Sequence, residues 1–281
     1  MNISLSSREF SMLQKYIEDE SGIVIRPEKA YFIENRLRKI LENEGLLSYE
    51  ELLHKAQREK PDFSQKVIDA ITINETYWFR DKSPWYIMEE IFLPGYIKEM
   101  QDGSRTDVHI WSCACSSGQE PYSIAMCIDN YMSKNKISDI SFEQFHITAT
   151  DLSRTMLAKA VEGKYDKVSM ERGLDLSNRN RYFVKKGNRW VVCDKIKNSV
   201  FFFQFNLKND CCSFRNYDII FCRNVFIYFS ESLKREILEK LLYALKPNGL
   251  LFVGASEIIS GFSRDIEVGT HKNGVFFRLK E

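Results

Sequence analysis

The stretch Trp111–Ser123, "WSCACSSGQEPYS", begins as a buried strand and ends as the opening turn of a helix, with Gly118 between them. Such a turn aims loop amides and a helix N-terminus at a ligand, and three glycines in the pattern G-x-G-x-x-G would let it cradle a pyrophosphate. Only Gly118 is present, so that close approach is not provided. Asp151 ends the next apolar strand, where a carboxylate accepts hydrogen bonds from ribose hydroxyls. The ligand that fits is a nucleoside carrying an amino acid in place of phosphates, and S-adenosylmethionine is such a molecule. Two further polar stretches fall at the right edges: Asn74–Arg80, "NETYWFR", and Phe221–Phe229, "FCRNVFIYF", with Asn224 and Tyr228 beyond a strand end. Taken singly each residue has a plainer reading: Asn74 and Thr76 as turn or cap residues, Arg80 in a surface ion pair, Tyr228 in the core. For Asp151 the plainer reading is a helix N-cap, a role that suits Ser153 better.

Caps, breakers and periodicity show which elements must position these residues. Ser6 with Glu9 and Ser48 with Glu51 have capping-box spacing, Gly22 and Gly45 stand where helices end, and Pro27 suits a first helical position. They predict helices near 7–20, 28–44, 49–59 and 64–73, an all-helical N-terminal domain over residues 1–75. On the second helix Ile33, Leu37, Ile40 and Leu41 share a face, which puts Arg38 and Lys39 on the far side and Arg36 at the flank. Alone, that is a solvated basic face.

The pattern changes near residue 81. Ser83-Pro84 opens a helix expected to end near Pro94, after which strands and helices alternate: "DVHIWSCA", helix 119–132, "QFHITATD", helix 153–162. Later come "SVFFFQFNL", "YDIIFCRN", a helix over 231–245, a turn at Pro247-Asn248-Gly249, "LLFVGAS" and "GVFFRLK". Continuous apolar strands alternating with helices predict an α/β domain over 76–281, its mostly parallel sheet covered on both faces. Between 163 and 198 the rhythm breaks, and "RYFVKKGNRWVVCDKI" reads as two short strands about a Lys-Gly-Asn turn, a small β insertion at the sheet's edge.

Composition narrows the partners. Lys+Arg 40 against Asp+Glu 39 leaves a net charge of +1, so no global field draws the chain to nucleic acid or an anionic membrane. No apolar run approaches the roughly 20 residues of a membrane-spanning helix, and no basic-then-apolar signal opens the chain. The expectation is a cytoplasmic protein, monomeric because it shows no sustained heptad or spare apolar edge. The 7 cysteines include no C-x-x-C pair, and His54, His109, His146 and His271 are scattered without i, i+4 spacing. Neither a disulfide framework nor a metal site is expected.

"NETYWFR", "WSCACSSGQEPYSIAM", "ATDLS", "FNL" and "DIIFCRNVFIYF", in this order and at these intervals, closely resemble the chemotaxis receptor methyltransferases of the CheR type. The resemblance covers nearly the whole chain and implies a helical N-terminal domain followed by a Rossmann-like S-adenosylmethionine-dependent methyltransferase domain with a small antiparallel β insertion. It implies transfer of a methyl group to glutamate side chains on the cytoplasmic coiled coil of methyl-accepting receptors, releasing S-adenosylhomocysteine. It places Asn74, Thr76, Arg80, Asp151, Asn206, Leu207, Asn224 and Val225 around the cofactor, joined by a carboxylate of the family's "GEEPYS" element. Here that element is "GQEPYS", so the contact falls to Gln119 or to Glu120. Arg80 is expected to orient the substrate carboxylate and Tyr228 to hydrogen-bond at the transfer site, while Arg36, Arg38 and Lys39 meet the acidic receptor. Some members tether to a receptor C-terminal peptide through a longer, glycine-rich loop of the insertion; residues 182–196 have Gly187 alone, which predicts peptide-independent action. A non-catalytic cofactor-binding scaffold and a methyltransferase for another carboxylate are the alternatives, and intact Arg80 and Tyr228 argue against the first.

Overall fold

The computed structural model describes residues 3–211, 214–257, 259, 261 and 263–280, so Cys212 lies outside the described residues. Four helices come first: α1 (Ser7–Ser21), α2 (Ala30–Glu44), α3 (Tyr49–Arg58) and α4 (Asp62–Ile71). Ser6 and Glu9 form the reciprocal capping box at α1, and Gly22 ends it in the left-handed region at φ 78°. At α3 the box is only half made: Ser48 accepts from the Glu51 N–H, but the Glu51 carboxylate turns back to the N–H of Leu47. The four helices enclose a core of their own, in which Leu13, Ile17, Ile33, Leu37, Leu41 and Leu52 are wholly buried. Each such side chain contributes about 1.5–3 kcal/mol by leaving water.

Next in the chain comes a long helix that packs on the sheet: α5 (Lys82–Ile87), a π turn over Met88–Phe92 and α6 (Leu93–Gln101). Pro94 therefore does not end the helix. The Leu93 N–H reaches five residues back to the Met88 carbonyl, and this wider turn shifts the carbonyl that the proline ring would strike.

The sheet strands and their helices follow: β1 (Val108–Cys113), α7 (Gln119–Lys134), β2 (Phe145–Asp151) and α8 (Arg154–Glu162). An insertion of β3 (Lys164–Tyr165), α9 (Lys167–Glu171), α10 (Leu176–Tyr182), β4 (Phe183–Lys186) and β5 (Arg189–Val192) precedes α11 (Asp194–Lys197). Then come β6 (Val200–Gln204), β7 (Tyr217–Cys222), α12 (Glu231–Ala244), β8 (Leu245–Phe252), β9 (Ile266–His271) and β10 (Gly274–Leu279). The main sheet runs β6-β2-β1-β7-β8-β10-β9, parallel except that β10 lies antiparallel to both its neighbours. All of β7 is buried, and two apolar clusters cover the two faces. This is a Rossmann-like α/β arrangement, and strand order reverses direction at β1, the place where such sheets open a crevice at their carboxyl ends.

Two local expectations change. The expected turn at Pro247-Asn248-Gly249 is an irregularity inside β8: Tyr217 pairs with Leu245 and Ile219 with Leu250, so Asp218 alone faces the intervening residues. Asp218 occupies that widened register by pairing with Arg105 and Lys246 and accepting the His109 N–H, which satisfies a carboxylate that is 3% exposed. The insertion is not an extension of the main sheet's edge but a separate three-stranded sheet, β3-β5-β4. Trp78, fully buried, packs edge-on against its Tyr165 and Phe183 and joins it to the loop leaving the helical region.

Gly173 makes that junction sterically feasible: it sits at φ 83°, and a Cβ there would lie 2.0 Å from the Trp78 carbonyl oxygen. Gly173→Ala is therefore expected to destabilise the fold by about 2–4 kcal/mol, combining left-handed strain with overpacking. A urea titration of the variant that gives an unchanged midpoint would show that this contact does not hold the insertion in place.

Candidate active site

A cleft opens at the carboxyl end of β1 and encloses about 960 Å³, mouth included, within the size range of small-molecule sites. Six segments meet there: the end of α1, the loop 72–80 after α4, the turn 114–120, the end of β2, the loop after β6 and the loop after β7. Asn74, Thr76, Arg80, Glu120, Asp151, Asn206, Leu207, Asn224, Val225 and Tyr228 all line it. Gln119 does not. It is 4% exposed, and its side-chain oxygen accepts from the Ser117 hydroxyl. As the first residue of α7 it turns inward while Glu120 faces the cleft, which corrects the expectation that either could serve.

The 114–118 turn is built on backbone of unusual hand, with Ala114 at φ 52°, Ser116 at 50° and Gly118 at 91°. A Cβ on Gly118 would meet the Ala160 Cβ at 2.9 Å, so the single glycine is needed for close packing of α7 on α8, not for approach to a ligand. That accounts for a strand–turn–helix with one glycine. Ser116 joins this turn to the loop before it, its hydroxyl donating 3.0 Å to the Asn74 carbonyl. The Asn74 amide donates to the hydroxyl and carbonyl of Thr72, which itself ends α4.

Asp151 is 6% exposed and receives the backbone N–H of Ser116 at 2.7 Å and that of Ser153 at 2.8 Å, one on each carboxylate oxygen. Burial outweighs those two donors and lifts its pKa to about 6. Ser153, not Asp151, caps α8, accepting from the Met156 N–H. Cys115 also borders the cleft, but burial pushes its thiol well above the ordinary range, so it carries no thiolate near neutral pH.

Arg80 donates from one guanidinium nitrogen to the Glu75 carbonyl at 3.0 Å and lies over the Tyr77 ring at 5.4 Å. Its remaining N–H groups are left for the cleft. Tyr228 belongs to a short 3-10 turn after β7; burial raises its phenol, which is therefore a proton-bearing donor at neutral pH. No hydrogen bond engages that hydroxyl among the described residues. Asn206 is differently employed: its amide donates to the Glu20 carbonyl and its oxygen accepts the Lys208 N–H, so it fastens the α1 end to the sheet. The Tyr228 carbonyl receives the Val24 N–H at 2.8 Å across the same seam.

Three site residues escaped the sequence reading. Ser21 and Ile23 line the cleft from the end of α1, a contribution that no local motif signals. Glu257, 8% exposed, accepts the N–H groups of Asn224, Ile227 and Gly254 and so shapes the loop after β7, where Asn224 stands at φ 58°. Arg223, directly after β7, was not singled out from the sequence. Of the basic residues assigned to the far side of α2, Arg36 and Lys39 are exposed. Arg38 is corrected: one turn from Glu34, it is half-buried and pairs with that carboxylate at 2.5 Å. At the opposite end of the sheet, parallel register sets His109 against His146, and with Asp107 their ligand atoms lie within 4.8 Å of one another. Sequence spacing could not show a grouping made across two strands.

The cleft fits S-adenosylmethionine in its donor set: a buried carboxylate for a ribose, a second carboxylate for an ammonium group, apolar walls at Ile73, Leu207 and Val225, and no glycine cradle for phosphates. Residues 74–274 match the family described as CheR methyltransferase, SAM binding domain, and residues 8–72 match the CheR methyltransferase all-alpha domain. Chemotaxis protein methyltransferase 1 of Pseudomonas aeruginosa is 39% identical over 279 residues, covering 99% of this chain and 100% of its own. The Pseudomonas putida chemotaxis protein methyltransferase Cher2 is 38% identical over 280 residues, again 99% and 100%. The chemotaxis protein methyltransferase of Vibrio parahaemolyticus is 35% identical over 281 residues, at 99% of each chain. Cleft, element order and full-length similarity agree: the chain belongs to the CheR family of S-adenosylmethionine-dependent methyltransferases.

Proposed function

We propose that this chain is a cytoplasmic, monomeric enzyme that methylates glutamate side chains on the coiled coil of methyl-accepting chemotaxis receptors. The observation that carries the reading is that Arg80 and Tyr228 share one cleft with Asp151 and Glu120. Bound S-adenosylmethionine supplies the electrophilic methyl of its sulfonium. Asp151 holds the ribose, Glu120 the ammonium group, and Asn74, Thr76, Asn206, Leu207, Asn224 and Val225 form the remaining walls. A glutamate of pKa about 4.3 is ionised at neutral pH, so its carboxylate attacks without a general base. What remains is to orient it and to exclude water. Arg80 can grip the carboxylate through two N–H groups, and Tyr228 donates a hydrogen bond at the transfer site without losing its proton. Trp85, Phe205 and Phe229 keep that region apolar.

The helical domain, residues 1–75 on this reading, would present Arg36 and Lys39 to an acidic receptor surface, with Arg38 in support through its pair with Glu34. The hairpin of β4 and β5 turns tightly at Gly187, φ 59°, and supports recognition without a receptor C-terminal peptide.

Incubation with labelled S-adenosylmethionine and a receptor cytoplasmic fragment should give base-labile label on glutamate. Arg80→Ala should lower kcat about 100-fold with a smaller change in product affinity. Label transfer that survives this substitution at the original rate would return Arg80 to a surface role. Asp151 gives a pH test. Its pKa is raised, so the ionised acceptor forms as pH rises through about 6, and S-adenosylhomocysteine affinity should fall roughly tenfold from pH 8 to pH 5. Asp151→Asn should flatten that profile and weaken binding at pH 8 by about 1.5–3 kcal/mol. A pH profile by calorimetry identical in the two proteins would remove Asp151 from the ribose. Replacing Arg36 and Lys39 by Glu should raise KM about 3–10-fold for a receptor fragment lacking its C-terminal tail and reduce the salt dependence, since exposed charges act mainly on encounter. Unaltered KM, or a fragment methylated only when the tail is present, would contradict this mode of docking.

A further inference from the structure

Arg223 follows β7 directly, yet its side chain is only 1% exposed and its guanidinium reaches three acceptors on two other segments. One nitrogen donates to Glu120 at 2.8 Å; the other donates to the Asp81 carboxylate at 2.7 Å and to the Arg80 carbonyl at 2.8 Å. It lines the cleft and also a second cavity behind it, bounded by Asp81, Pro84, Val253 and Glu257, so it stands as the wall between them. The backbone it grips is strained. Phe79 and Asp81, flanking Arg80, lie at φ 48° and 55°, a region that side-chain-bearing residues adopt only when neighbours enforce it. The Phe79 N–H is tied to the Ser123 hydroxyl on one side of Arg80, and Arg223 supplies the restraint on the other.

We propose that Arg223 is a positioning residue for methyl transfer: by clamping the Arg80 carbonyl and Asp81 while anchored on one carboxylate oxygen of Glu120, it sets the direction in which the Arg80 guanidinium enters the cleft. Lysine cannot replace it, because a single ammonium on a flexible stem cannot serve two carboxylates and a carbonyl with fixed planar geometry. The proposal rests on Arg80 orienting the substrate carboxylate, as proposed above.

The test is a double-mutant cycle in the full-length protein, with kcat read on a receptor fragment and S-adenosylhomocysteine affinity read by calorimetry. Arg223→Lys should lower kcat about 30-fold or more with product affinity kept within about threefold. In an Arg80→Ala background the same substitution should cost less than about threefold, because a residue that acts through Arg80 has nothing left to position. Asp81→Asn, half-exposed and nearly isosteric, gives the same comparison should Arg223→Lys not fold: a kcat loss of about tenfold that disappears in the Arg80→Ala background. Losses that multiply in the double variants would overturn the proposal, as would unchanged kcat in both Arg223→Lys and Asp81→Asn while Arg80→Ala is impaired. Full turnover by Arg80→Ala itself would instead strike at the underlying role of Arg80, and the positioning role would fall with it.

Discussion

The cleft depends on a polar seam between two units that each bury their own core. The end of α1 is held to the sheet by Asn206 on the Glu20 carbonyl, Lys208 on the carbonyls of Glu18 and Asp19, and Val24 on the Tyr228 carbonyl. From the other side, Gln65 donates to the Leu152 carbonyl and accepts from the Gln204 amide, and Asp69 accepts the N–H and hydroxyl of Thr155. Most bonds of this seam have a backbone carbonyl or amide at one end. Such bonds fix position without requiring apolar contact, so the hollow between the units stays open. An apolar seam of the same extent would have collapsed into one core and filled the space.

Within that frame the electrostatics divide cleanly. The buried charges close to the cleft are paired or hydrogen-bonded by fixed groups: Asp151 by two amides, Glu257 by three, Glu120 by Arg223 and the Ser112 hydroxyl. What is left for a ligand is a small set of atoms on a rigid surround, which is the arrangement that methyl transfer to an already ionised carboxylate requires. Reactivity comes from the cofactor, and the protein supplies direction.

Much of this could be read in the sequence because local chemistry spoke for it. Strand–helix alternation, capping residues and the polar stretches at strand ends located the fold and brought Asn74, Thr76, Arg80, Asp151, Asn224 and Tyr228 to notice, while Asn206, Leu207 and Val225 came from the family resemblance. The failures have physical causes. Pro94 was misread because a π turn, which leaves no compositional mark, relieves the clash a proline brings. Gln119 and Glu120 are neighbours with opposite faces, and only the phase of the first helical turn separates them. Arg38 lies one turn from Glu34, and that pair outweighed its expected exposure. Ser21 and Ile23 reach the cleft, and Glu257 reaches the loop that walls it, through long-range contacts for which a one-dimensional pattern holds no signal.

The Val24–Tyr228 bond carries a consequence for inheritance and dissection of the chain. Two regions match two separate family descriptions, which invites the idea of exchangeable modules. Yet the residue at the proposed transfer site takes its backbone restraint from the linker after α1, and one wall of the cleft is the end of that helix. A graft of the sheet unit alone would keep every motif of the nucleoside site and lose the surface that completes it. The boundary between the two regions is therefore a seam for folding but not for heredity: the halves can be told apart by their cores, and the cleft obliges them to be handed down as a pair.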